Sequence, residues 1–246
     1  MNFILPKVEA STPHYLIIYK PPGWFVHPPE DRRAQKVFKK VVLTHWFEDV
    51  LKTKIYPVQR LDFATEGLLM AALNSESASI LNGLQKNGEI AKYYHAVVRG
   101  HTPSQLKIEI PLQSDSSPEL RDCITHFETL KQLEIPKPVH PDFPFSRYSF
   151  LKVKLETGRW HQIRRHMNRI SHPIVGDREH GCSHHNRFWR DQMQINGLLL
   201  KCQSLAFKDP WSHLEQTFNS PLTERWEKVI RYFSLDNEVV EDKGLM

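Results

Sequence analysis

The sequence predicts an α+β protein with a large mixed, mostly antiparallel sheet and flanking helices. Short segments of alternating apolar and polar residues come in neighbouring pairs, and amphipathic helical stretches lie between them without a βαβ rhythm. The chain has no internal repeat and no low-complexity block. Its Ser- and Pro-rich stretches are too brief for domain linkers, so residues 1–246 are expected to form one continuous domain with a core at about 15–210.

Taken in order, residues 15–19 are a β-branched and aromatic run that reads as a strand, stopped by Lys20-Pro21-Pro22-Gly23. Residues 31–52 place Phe38, Val42 and Trp46 at four-residue steps among lysines and arginines, which predicts a basic amphipathic helix. Strands are expected at 55–59 and 67–73, and a helix at 75–87 capped by Asn74 or Ser75 and ended by Gly88. Residues 91–100 and 105–110 alternate and are expected to pair across the intervening turn. Residues 111–119 and the proline-rich 135–145 read as loops; 123–127 and 148–155 read as strands. The segment 160–171 spaces Ile163, Met167 and Ile170 as a buried helical stripe, leaving its arginines to the rim. A short extended piece at 173–177, a helix at 187–194, one or two strands over 198–207 and a helix over 221–233 complete the chain, and the acidic tail from Ser234 is expected to fray.

Composition narrows the class. Three scattered cysteines, Cys123, Cys182 and Cys202, suit a reduced intracellular protein, and no apolar run has membrane-spanning length, so a soluble cytoplasmic chain is expected. Lys and Arg exceed Asp and Glu by 33 to 28, which permits a polyanionic partner without requiring one. Clustering is more informative. Arg159, Arg164, Arg165 and Arg169 fall close together with His161, His166 and Trp160, a mixture suited to phosphate contacts and base stacking, although a solvated helix face has the same composition.

The stretch Gln59-Arg60-Leu61-Asp62-Phe63-Ala64-Thr65-Glu66-Gly67 contains the candidate catalyst, Asp62, a carboxylate beside a cation just before a glycine-permitted turn. A surface ion pair or turn cap is the plainer reading of such a triplet. Neither a Gly-rich phosphate loop nor a nucleophilic serine motif is present, so no nucleotide cofactor and no acyl-transfer chemistry is indicated. His180-Gly181-Cys182-Ser183-His184-His185 crowds metal-type ligands but lacks a second ligand pair, and reads as a polar loop rather than a metal centre. Asp62 and Arg60, Tyr94 on a strand and Arg164 on a helix would together suit chemistry at a nucleoside's glycosidic carbon. Ordinary glycoside hydrolysis would ask for a second acid, for which Glu66 and Asp177 are the only candidates.

Four ordered motifs carry a resemblance. They are Lys20-Pro21-Pro22-Gly23-Trp24-Phe25-Val26-His27; Arg60-Leu61-Asp62 with Thr65 and Gly67; Lys92-Tyr93-Tyr94-His95-Ala96-Val97-Val98-Arg99-Gly100; and Leu155-Glu156-Thr157-Gly158-Arg159-Trp160-His161-Gln162-Ile163-Arg164 followed by His172-Pro173-Ile174-Val175-Gly176-Asp177. In this order they resemble the motifs of the RluA-type pseudouridine synthases. The resemblance implies the pseudouridine synthase fold with a central basic cleft, no cofactor and no metal, and a uridine flipped out of RNA. It implies Asp62 as the catalytic aspartate, Tyr94 as the ring that stacks on the base and Arg164 as the arginine that pairs with the aspartate. Arg60, Arg159 and His161 are expected to face the RNA. Gly176-Asp177-Arg178-Glu179-His180-Gly181 with Asn186-Arg187, and the lack of an S4-like N-terminal module, resemble a tRNA-acting subgroup. The implied target is uridine 65, on the acceptor and T-stem side of tRNA, modified by a monomer.

The chain departs from the family pattern. Gln59 stands where the family usually has His, Glu66 where it usually has Ser, and Leu200-Lys201-Cys202 replaces a late Leu-His-Ala. Action on ribosomal RNA, and an RNA-binding protein that has lost catalysis, are therefore the alternatives to an active tRNA isomerase.

Overall fold

The computed structural model describes residues 4–30, 35, 39–114 and 117–234. Its strands are β1 (Lys7–Ser11), β2 (Tyr15–Lys20), β3 (Tyr56–Pro57), β4 (Glu66–Ala72), β5 (Ala91–Arg99), β6 (Gln105–Glu109), β7 (Leu112–Ser114), β8 (Ser117–Arg121), β9 (Ile124–Ile135), β10 (Ser146–Leu155), β11 (Leu200–Lys208) and β12 (Glu215–Asn219). The α-helices are α1 (Leu43–Leu51), α2 (Ser75–Lys86), α3 (Gln162–Arg169), α4 (Ser183–Asp191) and α5 (Glu224–Phe233). The chain divides into two compact units, Met1–Ile90 with Cys202–Pro221, and Ala91–Lys201 with Leu222–Met246. No helix among the described residues is long and apolar enough to cross a membrane.

In the first unit β2 pairs antiparallel with β1 and β4, and β12 pairs antiparallel with β11. Strands β2 and β4 are buried along their whole length, Ile17, Ile18, Leu68, Leu69 and Met70 being fully enclosed, so they form the centre of this unit. The strand expected at 55–59 shrinks to Tyr56–Pro57, because Pro57 has no N–H to continue a ladder; Val58 N–H still reaches Met70 O at 2.9 Å. Helix α2 begins as expected, with the Asn74 side chain accepting from Ser77 N–H. Of the helix expected at 31–52, residues 31–34 and 36–38 lie outside the described residues. The remainder is a 3-10 turn at Lys39–Val41 followed by α1, with Val42 extended between them and bridged to Phe25.

In the second unit the strand order is β5-β10-β9-β6, all antiparallel. This corrects the expected hairpin of β5 with β6. Strand β5 is buried through its middle and needs a neighbour with apolar faces, which β10 supplies, whereas β6 is exposed except at Ile108 and suits an edge. The connection is pinned to β10 by Gly100 N–H to Arg147 O and by Thr102 N–H to the Ser149 hydroxyl. Residues 111–119, expected as a loop, supply the two-stranded ribbon β7–β8, and buried Leu112 anchors it. Val97, Tyr148, Phe150, Trp189, Leu199 and Trp226 belong to one apolar cluster, which α4 and α5 help close. Helix α4 begins earlier than the sequence suggested, at Ser183.

Candidate active site

The first unit presents Asp62 on a turn made largely by the backbone. Gly23 N–H donates to Phe63 O at 2.8 Å and Thr65 N–H to Asp62 O at 3.1 Å, closing the loop between β3 and β4 onto the end of β2. Gly67 follows at φ +116°, where a Cβ would stand 2.2 Å from the carbonyl oxygen of Cys202, so only glycine fits there. Asp62 is half-buried and Arg60 exposed, with His27 close enough to feel the Arg60 charge.

Beneath this turn lies a cluster in which sequence reasoning singled out Glu66 but gave Lys20 and Tyr19 no role in the site. Lys20, fully enclosed at the end of β2, donates from Nζ to Pro21 O at 3.1 Å and Trp24 O at 2.9 Å, with Phe63 O at 3.5 Å. Its neighbour Tyr19 donates from its hydroxyl to Glu66 Oε2 at 2.6 Å, and Glu66 is itself buried. Burial pushes the Lys20 ammonium down to about 7, against the attraction of Asp62 and Glu66. One departure from the family pattern, Glu66, is therefore a buried carboxylate placed to balance a buried lysine. The other, Gln59, is also buried and donates from Nε2 to Leu68 O at 3.3 Å. A lysine closing an otherwise apolar, fully buried strand was the available signal for this cluster.

The second unit carries Tyr94, Arg159, His161 and Arg164. Tyr94 is buried on β5, opposite Val153 of β10. Two residues before it, the ammonium of Lys92 approaches Gly158, in the turn leading to α3, to within 4.0 Å of where a Cβ would stand. That turn is held by one side chain: Gln162 Oε1 accepts from the Thr157 hydroxyl and Arg159 N–H, while its Nε2 donates to Ile124 O and the Thr125 hydroxyl of β9.

Arg164 corrects the expectation that the arginines of this helix sit at the rim. It is 3% exposed, and its guanidinium donates to both carboxylate oxygens of Asp177, at 2.7 and 2.8 Å, and to Glu179 at 3.2 Å. Burial opposes the Asp177 charge. The Arg164 hydrogen bonds and the N–H groups of His180 and Glu179 nevertheless hold its carboxyl below the usual carboxylate range. Arg159 is exposed. His161 is nearly buried in a left-handed conformation at φ 48°, and Trp160 stacks on its ring at 3.9 Å with Arg165 over the other ring system. The structure thus gathers Arg159, His161 and Arg164 at one helix start with Asp177, Glu179 and His180, while Asp62 and Arg60 belong to the other unit.

Residues 14–169 match the family model described as RNA pseudouridylate synthase, and the chain belongs to that family. It is 31% identical over 245 residues to the tRNA pseudouridine synthase C of Vibrio parahaemolyticus, covering 96% of this chain and 98% of that protein. It is 32% identical over 237 residues to the protein of the same name from Vibrio vulnificus, covering 92% and 95% of the two chains. The solved structure of human RNA Pseudouridylate Synthase Domain Containing 1 shares the fold, with a TM-score of 0.66 at 17% identity over 94% of this chain and 95% of that one.

Proposed function

We propose that this chain isomerises one uridine of tRNA to pseudouridine, with Asp62 as the catalytic carboxylate, Tyr94 as the ring against the flipped base and Arg164 as the arginine that the motif resemblance pairs with that aspartate. The carrying observation is the family match over residues 14–169, which contains all three residues, joined to relatives named for tRNA that align along nearly the whole chain. The reaction breaks the N1–C1′ bond, turns the uracil and joins C5 to C1′; the proton leaving C5 is balanced by one gained at N1, so no cofactor is consumed. Attack of the carboxylate on C1′ and removal of a sugar proton both need Asp62 ionised. The half-buried turn supports this reading, since it leaves the carboxylate accessible while Lys20 and Glu66 lie below it. Arg60, Arg159 and His161 take the RNA backbone, two of them being exposed cations and the third stacked on an indole. A monomer working in the cytoplasm, on free tRNA, completes the proposal.

The test is incubation of the purified chain with unmodified tRNA and with ribosomal RNA fragments, followed by chemical mapping of pseudouridine. One new site in the tRNA, at uridine 65, is expected. Conversion confined to ribosomal RNA, or tight tRNA binding without conversion, would overturn the proposal.

A further inference from the structure

Next to Arg164 the second unit brings three metal-type donors together from two segments. His161 is held at the start of α3 by its left-handed backbone and by Trp160 against its ring. Glu179 and His180 lie on a turn fixed from inside: Asp177 Oδ1 accepts the N–H groups of both at 3.0 Å, and Arg164 clamps Asp177 in turn. Asn168 also donates from its side-chain amide to His180 O. Both segments are thus preorganised by groups other than the donors themselves.

The donor atoms face one another. His161 Nδ1 lies 3.0 Å from His180 Nε2 and 3.5 Å from Glu179 Oε2, and all three fall within 4.8 Å of each other. Ligand atoms at about 2.0–2.1 Å from a tetrahedral zinc ion are separated by about 3.3 Å, so little movement is needed to enclose one. Two imidazole nitrogens at 3.0 Å cannot both carry a proton, so at least one already presents its lone pair. The charges permit a dication: Arg164 is matched by Asp177, and Glu179 adds a second carboxylate, although Arg165 over Trp160 is a further cation nearby. Two imidazoles and one carboxylate select zinc or a similar borderline ion over magnesium or calcium.

We propose that His161, Glu179 and His180 form a binding site for a divalent transition metal of the zinc class, with a fourth coordination position open to solvent. An occupied site would engage the His161 ring and the Glu179 carboxylate, whose other oxygen accepts from Arg164.

The test uses the full chain, metal-free and without RNA, so its outcome is independent of the reaction proposed above. Zinc is titrated against a chromophoric chelator, and cobalt serves as an absorbance probe of tetrahedral coordination. One equivalent of zinc at micromolar concentration is expected, with a tetrahedral cobalt spectrum. His180→Gln and His161→Gln should each weaken binding at least about 10-fold. Glu179→Gln, at an exposed position that leaves the fold intact, should weaken it by a similar or smaller factor, and His184→Gln, exposed and outside the cluster, should leave it unchanged. Absence of a stoichiometric ion, or wild-type affinity in His180→Gln and Glu179→Gln, would overturn the proposal and place any bound zinc elsewhere among the fourteen histidines.

Discussion

The turn that carries Asp62 and the helix start that carries Arg164 each present a charged side chain, but they are built from different materials. The Asp62 turn is closed by main-chain hydrogen bonds, with Lys20 bonding to carbonyl oxygens, and by a glycine that lets β4 pass against Cys202. Arg164 is held by side chains recruited from elsewhere: Asp177 and Glu179 on the guanidinium, and Gln162 reaching back to β9. The first design tolerates side-chain change and depends on one backbone conformation. The second depends on mutual satisfaction of buried charges and fails when either partner is removed.

The largest expected effect tests function at the backbone-built turn. Asp62→Asn should lower the rate of pseudouridine formation on the order of 10³-fold or more while the thermal midpoint stays close to wild type, because the Gly23–Phe63 and Thr65–Asp62 hydrogen bonds that close the turn run between main-chain atoms. A variant that loses its fold instead would show that the side chain builds the turn, and the comparison would break.

Arg164→Met addresses the other design. It leaves Asp177 buried without its main partner, and urea denaturation should register a loss of about 3–5 kcal/mol. The pH dependence adds a second reading. The Asp177 carboxyl is held below its ordinary value of 3.8, so its contribution is complete above that value and is lost as pH falls through the lower folded-state value. Wild-type stability should therefore decline on the acid side, and the decline should be smaller in Arg164→Met.

Gly67→Ala should cost about 2–3 kcal/mol, through a positive φ and a Cβ driven into the Cys202 backbone, despite the smallness of the change. Circular dichroism melts of this variant beside Asp62→Asn separate conformation from charge at two positions of the same turn region. A neutral outcome would mean that the backbone is not what holds the turn.

The smallest effect concerns Lys20. Its folded-state pKa of about 7 lies below the ordinary 10.5, so between these values the native state holds fewer protons than the unfolded chain. Stability should rise with pH across that window. Lys20→Met should flatten the rise, as read from denaturation midpoints between pH 6 and 10.

Strands 15–19, 67–73 and 148–155, the Asn74 cap and the closing helix were legible in the sequence because each signal is local: alternation, a capping side chain or a four-residue step. The candidate site was legible as a set of types, a carboxylate before a glycine turn, a tyrosine on a strand and arginines beside a Thr-Gly turn. It was not legible as an arrangement. Amphipathic spacing assigned Arg164 to the rim because spacing counts the stripe of Ile163 and Met167 and cannot see a carboxylate thirteen residues later. Lys20 was overlooked because a lysine beside two prolines reads as a surface stop to a strand.

Sequence alone thus determined the α+β class, most elements and the ordered motifs, since backbone propensity and side-chain periodicity act over a few residues and need no distant partner. Tertiary structure alone decided that β5 pairs with β10 and leaves β6 to the edge, that Glu66 lies buried with Tyr19 and Lys20, and that His161 meets His180. These outcomes depend on which buried faces and charges satisfy one another across long stretches of chain, and that competition is resolved only when the whole molecule packs.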